Sequence, residues 1–219
     1  MKSLASTPDL PAAVDAPAPS YGEPVGTSDL AERFPGTHLA AEALGAGLEH
    51  ILASPKDAGA VEMIVRRPGE NLRELLEIAE LDVDAGLVGD NWSSRGSSKT
   101  EDGSAHPEMQ LNLMNSRVVD LVAGGDRRRW PLAGDQFFVD LDLGRDNLPP
   151  GTKLVLGTAE LEVTPMPHLG CKKFVARFGL EAMKFVNSGT AKVQCLRGIN
   201  ARVTRSGAVR TGDTVRVLR

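Results

Sequence analysis

Along residues 159–164 the chain alternates, with apolar Ala159, Leu161 and Val163 interleaved with Glu160, Glu162 and Thr164. A period of two is the mark of a strand with one buried face. TKLVLGTAELEVTP, which contains this run, follows LPPG, a turn at 148–151. Further strand-like runs are VEMIV (61–65), MQLNL (109–113) and QFFVDLDL (136–143). VQCLRGINARVTRSGAVRTGDTVRVL (193–218) divides into several short strands, including VQCL. Ser206-Gly207 and Gly212-Asp213 are turn signals between them. Helical spacing is rarer. Leu44, Leu48, Ile51 and Leu52 share a face in LAAEALGAGLEHILA, with Thr37 as a possible cap, although Gly45 and Gly47 weaken that helix. Asn71 and Glu74 resemble a capping box ahead of Leu72, Leu75, Leu76 and Ala79, which predicts a helix over 72–80. NSRVVDLVAGG predicts a short helix ending at a glycine pair. Phe174, Phe178, Ala182 and Phe185 share a face of a helix through ARFGLEAMKFVN.

These elements organise into a mostly β chain with several short peripheral helices. A closed or partly closed barrel disposes of the strand edges. Residues 1–36 hold six of the 14 prolines and read as a flexible Pro/Ala-rich tail. Residues 37–219 read as one domain with a helical extension at its start. NWSSRGSSKTEDGSAHPE (91–108) reads as a long polar loop, and long ordered loops are often functional. Gly-Asp recurs at 89–90, 134–135 and 212–213, each time beside an expected strand, where glycine permits a tight turn.

Composition narrows the function classes. The 219 residues are 41% hydrophobic, enough for a normal core, and 4% aromatic, too few for stacked aromatic platforms. The net charge of −4 gives no overall basic field for nucleic acid. Two cysteines do not make a disulfide framework. Pro8, Asp9 and Pro11 interrupt the amino terminus, so it does not read as a signal peptide, and no apolar run has membrane-spanning length. The expected setting is the cytoplasm, with reduced thiols.

The chemistry concentrates in PHLGCKKFVARFG (167–179). Lys172 and Lys173 directly follow Cys171, His168 precedes it by three residues and Arg177 lies six beyond. A thiolate is the nucleophile and the metal ligand, and nearby cations favour it. Cys171 is therefore either an activated thiol or a small buried residue, and sequence spacing alone leaves both readings open. No zinc-ligand spacing links Cys171, Cys195, His106 and His168, and Cys195 is expected to be inert core. Arg197 and Arg202 in LRGINARV offer a phosphate or carboxylate clamp, or two solvated arginines. Asn200 offers a ligand donor or a turn residue. Arg66 and Arg67 offer anion-binding charge or surface solvation. No Walker loop, dinucleotide-binding glycine motif or nucleophile elbow is present.

GLVGD, AGDQFFVDLDL, LPPGTKLVLGTAELEVT, PHLGCKKFVARFG and LRGINARVTRSGAVRTGDTVRV, in that order, resemble the MOSC domain, the carboxyl-terminal domain of molybdenum cofactor sulfurases. The resemblance covers roughly residues 60–219. It implies a β-barrel-like fold of the pyruvate-kinase-barrel type. It also implies a key cysteine, at Cys171, that carries sulfane sulfur as a persulfide or ligates molybdenum. By the same analogy Arg197, Asn200 and Arg202 contact anionic groups of the molybdenum cofactor, while His168, Lys172, Lys173 and Arg177, from their places around Cys171, are candidates for tuning its sulfur and contacting the cofactor. The activities implied are sulfur carriage for that cofactor, or reduction of N-hydroxylated compounds; a binding module that has lost the chemistry is a third reading. The family is associated with pyridoxal phosphate, but this chain has no aminotransferase-like domain and is not expected to use it alone. A sulfur-donating enzyme or an electron-transfer partner is implied, and no nucleic acid or membrane. The chain departs from stand-alone members in carrying SSRGSSKTEDGSAH where some have a His-Gly-Gly segment.

Overall fold

The computed structural model describes residues 21, 22 and 24–219. Its first part contains β1 (Val25–Gly26), α1 (Thr27–Arg33), α2 (Ala41–Ala46), α3 (Leu48–Leu52), β2 (Ala58–Arg66), β3 (Leu72–Leu76), β4 (Ile78–Asp82), β5 (Gly86–Leu87) and α4 (Trp92–Arg95). The middle contains β6 (Leu111–Asn115), α5 (Ser116–Val122), β7 (Phe137–Val139), β8 (Lys153–Leu156) and β9 (Ala159–Pro167). The last part contains α6 (Lys172–Phe178), α7 (Leu180–Asn187), α8 (Gly189–Val193), β10 (Ile199–Arg205), β11 (Gly207–Arg210) and β12 (Thr214–Leu218).

Seven strands close into a barrel in the order β2-β12-β8-β9-β10-β6-β7, with β7 returning to β2. All pairings are antiparallel except β6 with β7. Closure satisfies the backbone of every barrel strand and removes the free edges, as the β-rich pattern led one to expect. β3 and β1 extend the sheet beside β2, and β11, β4 and β5 form a separate three-stranded sheet.

Two apolar clusters explain the run QFFV. Phe137 and Val139 join the barrel interior with Leu111, Leu113, Leu161 and Ala201. Phe138, between them, joins the layer that packs the helices on the barrel, with Met63, Met114, Phe174 and Phe178. A strand buried on both faces has no alternation to display.

Several expected elements are corrected. The helix over 72–80 is instead β3 and β4. Asn71 adopts φ 57°, a left-handed turn rather than a cap, and Glu74 pairs across the sheet with Arg66 at 2.8 Å. Cross-strand pairing has overridden a local helix signal of moderate strength. The helix after Thr37 begins at Ala41, has no side-chain cap, and divides at Gly47. The helix through 176–187 divides at Gly179, whose φ of 90° no helix admits. VQCL is not a strand: α8 ends at Val193 and Cys195 turns at φ 46°. The helix from Asn115 is as expected, its side chain accepting from the amides of Arg117 and Val118, and it ends before Gly124 and Gly125 at positive φ. The 91–108 loop contains α4, with Trp92 buried and its indole N–H donating to the carbonyl of His106. Most of the expected tail lies outside the described residues. Within it, β1 pairs with β3 and Leu30 of α1 is buried, so docked structure begins before residue 37.

Candidate functional site

Two of the three Gly-Asp pairs build the foundations. Gly89 and Gly134 lie at φ 80° and 92°, which glycine reaches without the clash a Cβ brings. Each turns the next aspartate inward. Asp90 accepts from the backbone N–H and Nε of Arg67 at 2.9 Å and from its Nη2 at 2.8 Å. Arg67 also donates to Oδ1 of Asn112 and to the carbonyl of Gly134. Asn112 donates to Asn200 at 2.6 Å, and Asn200 donates to the carbonyl of Met166.

Asp135 is fully buried and accepts from Arg197 Nη1 at 2.8 and 2.9 Å. It also meets His168 Nε2 at 2.7 Å. Arg197 donates to the carbonyl of Ala133 and lies over the ring of Phe174, 5.0 Å from its centroid. Burial alone would raise the Asp135 pKa, but Arg197 and His168 together hold it below the usual carboxylate range. Burial lowers the pKa of His168, Arg197 adds to this, and Asp135 opposes it. His168 is therefore neutral at pH 7, with its Nε2–H donated to Asp135.

Above these pairs lies a cleft of about 320 Å³. Cys171 stands exposed at it, on the loop leading into α6. Its carbonyl accepts from the amides of Phe174 and Val175, which fixes the start of that helix. Arg67, Arg73, Arg95, Lys173 and Arg177 line the same cleft, with Glu70 as its one acidic residue. Arg67 is neutralised by Asp90, and Lys173 lies 3.6 Å from Glu70. Among the described residues, Arg73, Arg95 and Arg177 have no carboxylate within ion-pair distance. Arg73 and Arg177 are oriented by backbone carbonyls, those of Pro131 and Leu132 respectively. Burial, then Arg177 and Arg67, pushes the pKa of Arg73 down to about 10, so it remains charged at pH 7. Burial also lowers that of Arg177, while the sulfur of Cys171 opposes the shift. The Oδ1 of Asn91, also in the cleft wall, is buried without a partner. Three uncompensated arginines and one exposed thiol thus face a common space.

The structure brings together Cys171, His168, Lys173 and Arg177 of the residues singled out in the sequence. Lys172 is exposed and does not line the cleft. Arg197 and Arg202 form no common clamp. Arg197 is locked onto Asp135 in the interior, whereas Arg202 pairs with Glu162 at 2.8 Å on the exposed side of β10. Asn200 is fully buried and engaged by Asn112 and Met166, so it supports the site from beneath. Of Arg66 and Arg67, only the second reaches the cleft. Sequence reasoning missed Arg73, Arg95, Asn91 and Asn112, and the two buried aspartates. Only the aspartates carried a signal, the repeated Gly-Asp beside strands.

No family model and no curated protein sequence matches the chain. Solved structures do. The YuaD protein from Bacillus subtilis superposes with a TM-score of 0.56 at 17% identity, covering 73% of this chain and 95% of that one. A crystal structure titled only as a hypothetical protein gives a TM-score of 0.51 at 18% identity, covering 75% and 69%. YiiM from Escherichia coli gives 0.48 at 17%, covering 73% and 70%. The likeness is one of fold. The chain, with its closed seven-stranded barrel, shares its fold with YuaD. No described helix is long and apolar enough to cross a membrane.

Proposed function

We propose that the chain handles the molybdenum cofactor, with Cys171 as a sulfur carrier. One observation carries this reading: an exposed thiol shares a cleft with three arginines that have no acidic partner. Such a cleft suits an anionic ligand with phosphate or carboxylate groups, because guanidinium forks bind these bidentately. The residues present fit the cofactor in charge. Arg73, Arg95 and Arg177 match its phosphate and its anionic sulfur groups. When bound, the cofactor supplies a molybdenum centre that can exchange a terminal sulfur.

The protein's part is simple thiol chemistry. The Cys171 thiolate attacks the outer sulfur of a donor persulfide, the donor's S–S bond breaks, and the donor leaves as a thiolate. Cys171 then holds the sulfane sulfur beside the arginines, which stabilise its negative charge. A partner enzyme must supply that persulfide. The second reading makes Cys171 a molybdenum ligand in a reductase of N-hydroxylated compounds, with electrons from a partner protein. Among the described residues no group of three or more metal-ligating side chains is present, so any metal would arrive already held by its cofactor.

Expression in a host that makes the cofactor, followed by metal analysis and persulfide trapping, tests both. Sulfane sulfur that is trapped on Cys171 and absent from Cys171→Ser supports carriage. Stoichiometric molybdenum that disappears in Cys171→Ser supports the ligand role. A Cys171 that accepts neither sulfur nor metal overturns both.

A further inference from the structure

A second cavity adjoins the Cys171 cleft, and His168 and Leu169 line both spaces. Its volume is about 240 Å³, equivalent to about eight waters at roughly 30 Å³ each. Leu148, Val163, Val186 and Ile199, all buried, give it apolar walls. Arg145 and Lys192 are exposed at it, and no carboxylate lines it. Arg197 also lines it. That side chain is 7% exposed, and its two terminal nitrogens are committed to Asp135 and Ala133, but its buried Nε has no partner. Arg145 and Lys192 thus edge the cavity with two cations that no lining carboxylate cancels. Cys195 lies in the same wall. Burial pushes its thiol pKa up, Arg145 opposes this and Asp142 adds to it, so the sulfur stays neutral at pH 7 and does not repel an anion.

We propose that this cavity binds a small organic carboxylate with a short apolar body, its chain against Val163, Val186 and Ile199 and its carboxylate toward Arg145 and Lys192. Arg145 and Lys192 disfavour an amine, which would enter against like charge. The volume lies below the usual 300–1,000 Å³ of drug-sized pockets, which disfavours a nucleotide or peptide. The site is independent of the reading proposed for Cys171, because it uses neither that thiol nor the arginines of the first cleft.

The test uses the full chain carrying Cys171→Ser, so that Cys195 is the one thiol. Hexanoate is the probe, with hexanol and hexylamine of the same chain length as comparisons. Iodoacetamide alkylation of Cys195 is followed near pH 9, where a raised thiol begins to ionise. Hexanoate at about 10 mM is expected to slow alkylation at least fivefold, from millimolar or tighter affinity, and hexylamine to leave it unchanged. Arg145→Gln with Lys192→Gln is expected to weaken hexanoate about tenfold in titration calorimetry. Both positions are exposed, so the fold should persist, and Lys192→Gln alone gives the same direction if the pair does not express. Equal protection by hexanoate and hexylamine, full affinity in the variants, or no protection at all overturns the proposal.

Discussion

Replacing Asp135 by Asn keeps the side chain's shape and removes its charge. Asp135 is fully buried, and both of its side-chain partners, the Arg197 cation and the neutral His168, are mostly buried. In the variant Arg197 keeps its guanidinium charge in the interior without an anion. Removing one partner of a buried pair costs about 3–5 kcal/mol, because the survivor's desolvation is no longer compensated. Asn can still accept a hydrogen bond, so the lower end, about 3 kcal/mol, is expected. A chain of this length shifts its Tm by about 2–4 °C per kcal/mol, giving a drop of about 6–12 °C. Glu162→Gln is the comparison, since it breaks a pair of the same 2.8 Å length with Arg202, which is half exposed. That pair should contribute no more than about 1 kcal/mol, since water screens it. Calorimetry or circular-dichroism melting of the two variants decides the matter. A fall below about 2 °C for Asp135→Asn, or equal falls for both, would refute the assignment of Asp135 as the buried anchor of this site.

Four further outcomes are expected. The folded His168 pKa lies below the unfolded value of about 6.5, so between the two the unfolded chain binds the extra proton. Its stabilisation is then complete above about pH 6.5 and falls as pH drops below it, and a Tm profile should show that slope in the wild type and a shallower one in His168→Gln. Gly59→Ala should cost at least about 3 kcal/mol in urea unfolding, because its Cβ would lie 1.7 Å from the backbone oxygen of Asp140 on the neighbouring chain segment. Gly45→Ala, in α2 with nothing within 4 Å, should instead raise stability by up to about 1 kcal/mol. On the function proposed above, Arg73→Gln with Arg177→Gln should lower the molybdenum cofactor retained on purification by about tenfold or more, at unchanged Cys171 content, since each arginine contributes a charge that no carboxylate among the described residues pairs with.

What was legible in the sequence followed from how many neighbours a pattern needs. The hairpin of β8 and β9 reads directly from Ala159, Leu161 and Val163 because one face is buried and one is wet. α5 reads from Asn115 and its closing glycines because capping is local. The 72–80 segment misleads because Leu72, Leu75, Leu76 and Ala79 satisfy a helical stripe equally well. What decides there is pairing of β3 with β2 and of β4 with β11, and no local window contains β11. Gly179 misleads in the opposite sense. A single glycine within a good helical stripe is usually tolerated, but here its φ of 90° redirects the chain between α6 and α7.

The site shows the same division in chemical terms. Cys171 and its neighbours Lys173 and Arg177 were legible because a helix and the loop before it carry them in one short stretch. Arg73 and Arg95 were not, since β3 and α4 deliver them from distant segments and lone arginines are common on surfaces. Arg197 was misread for a physical reason: residue type gives charge, but not whether the charge is already compensated. Asp90 and Asp135 consume the charges of Arg67 and Arg197, and both follow a glycine at positive φ. The Gly-Asp pairs therefore sort the arginines of this rim into two groups. Those facing the aspartates hold the barrel end together. Those facing backbone carbonyls alone, Arg73 and Arg177, keep their charge available beside the thiol. A ligand of the cleft should thus respond to substitution of the second group in affinity and to the first mainly through folding, a separation that melting and binding measured on the same variants would expose.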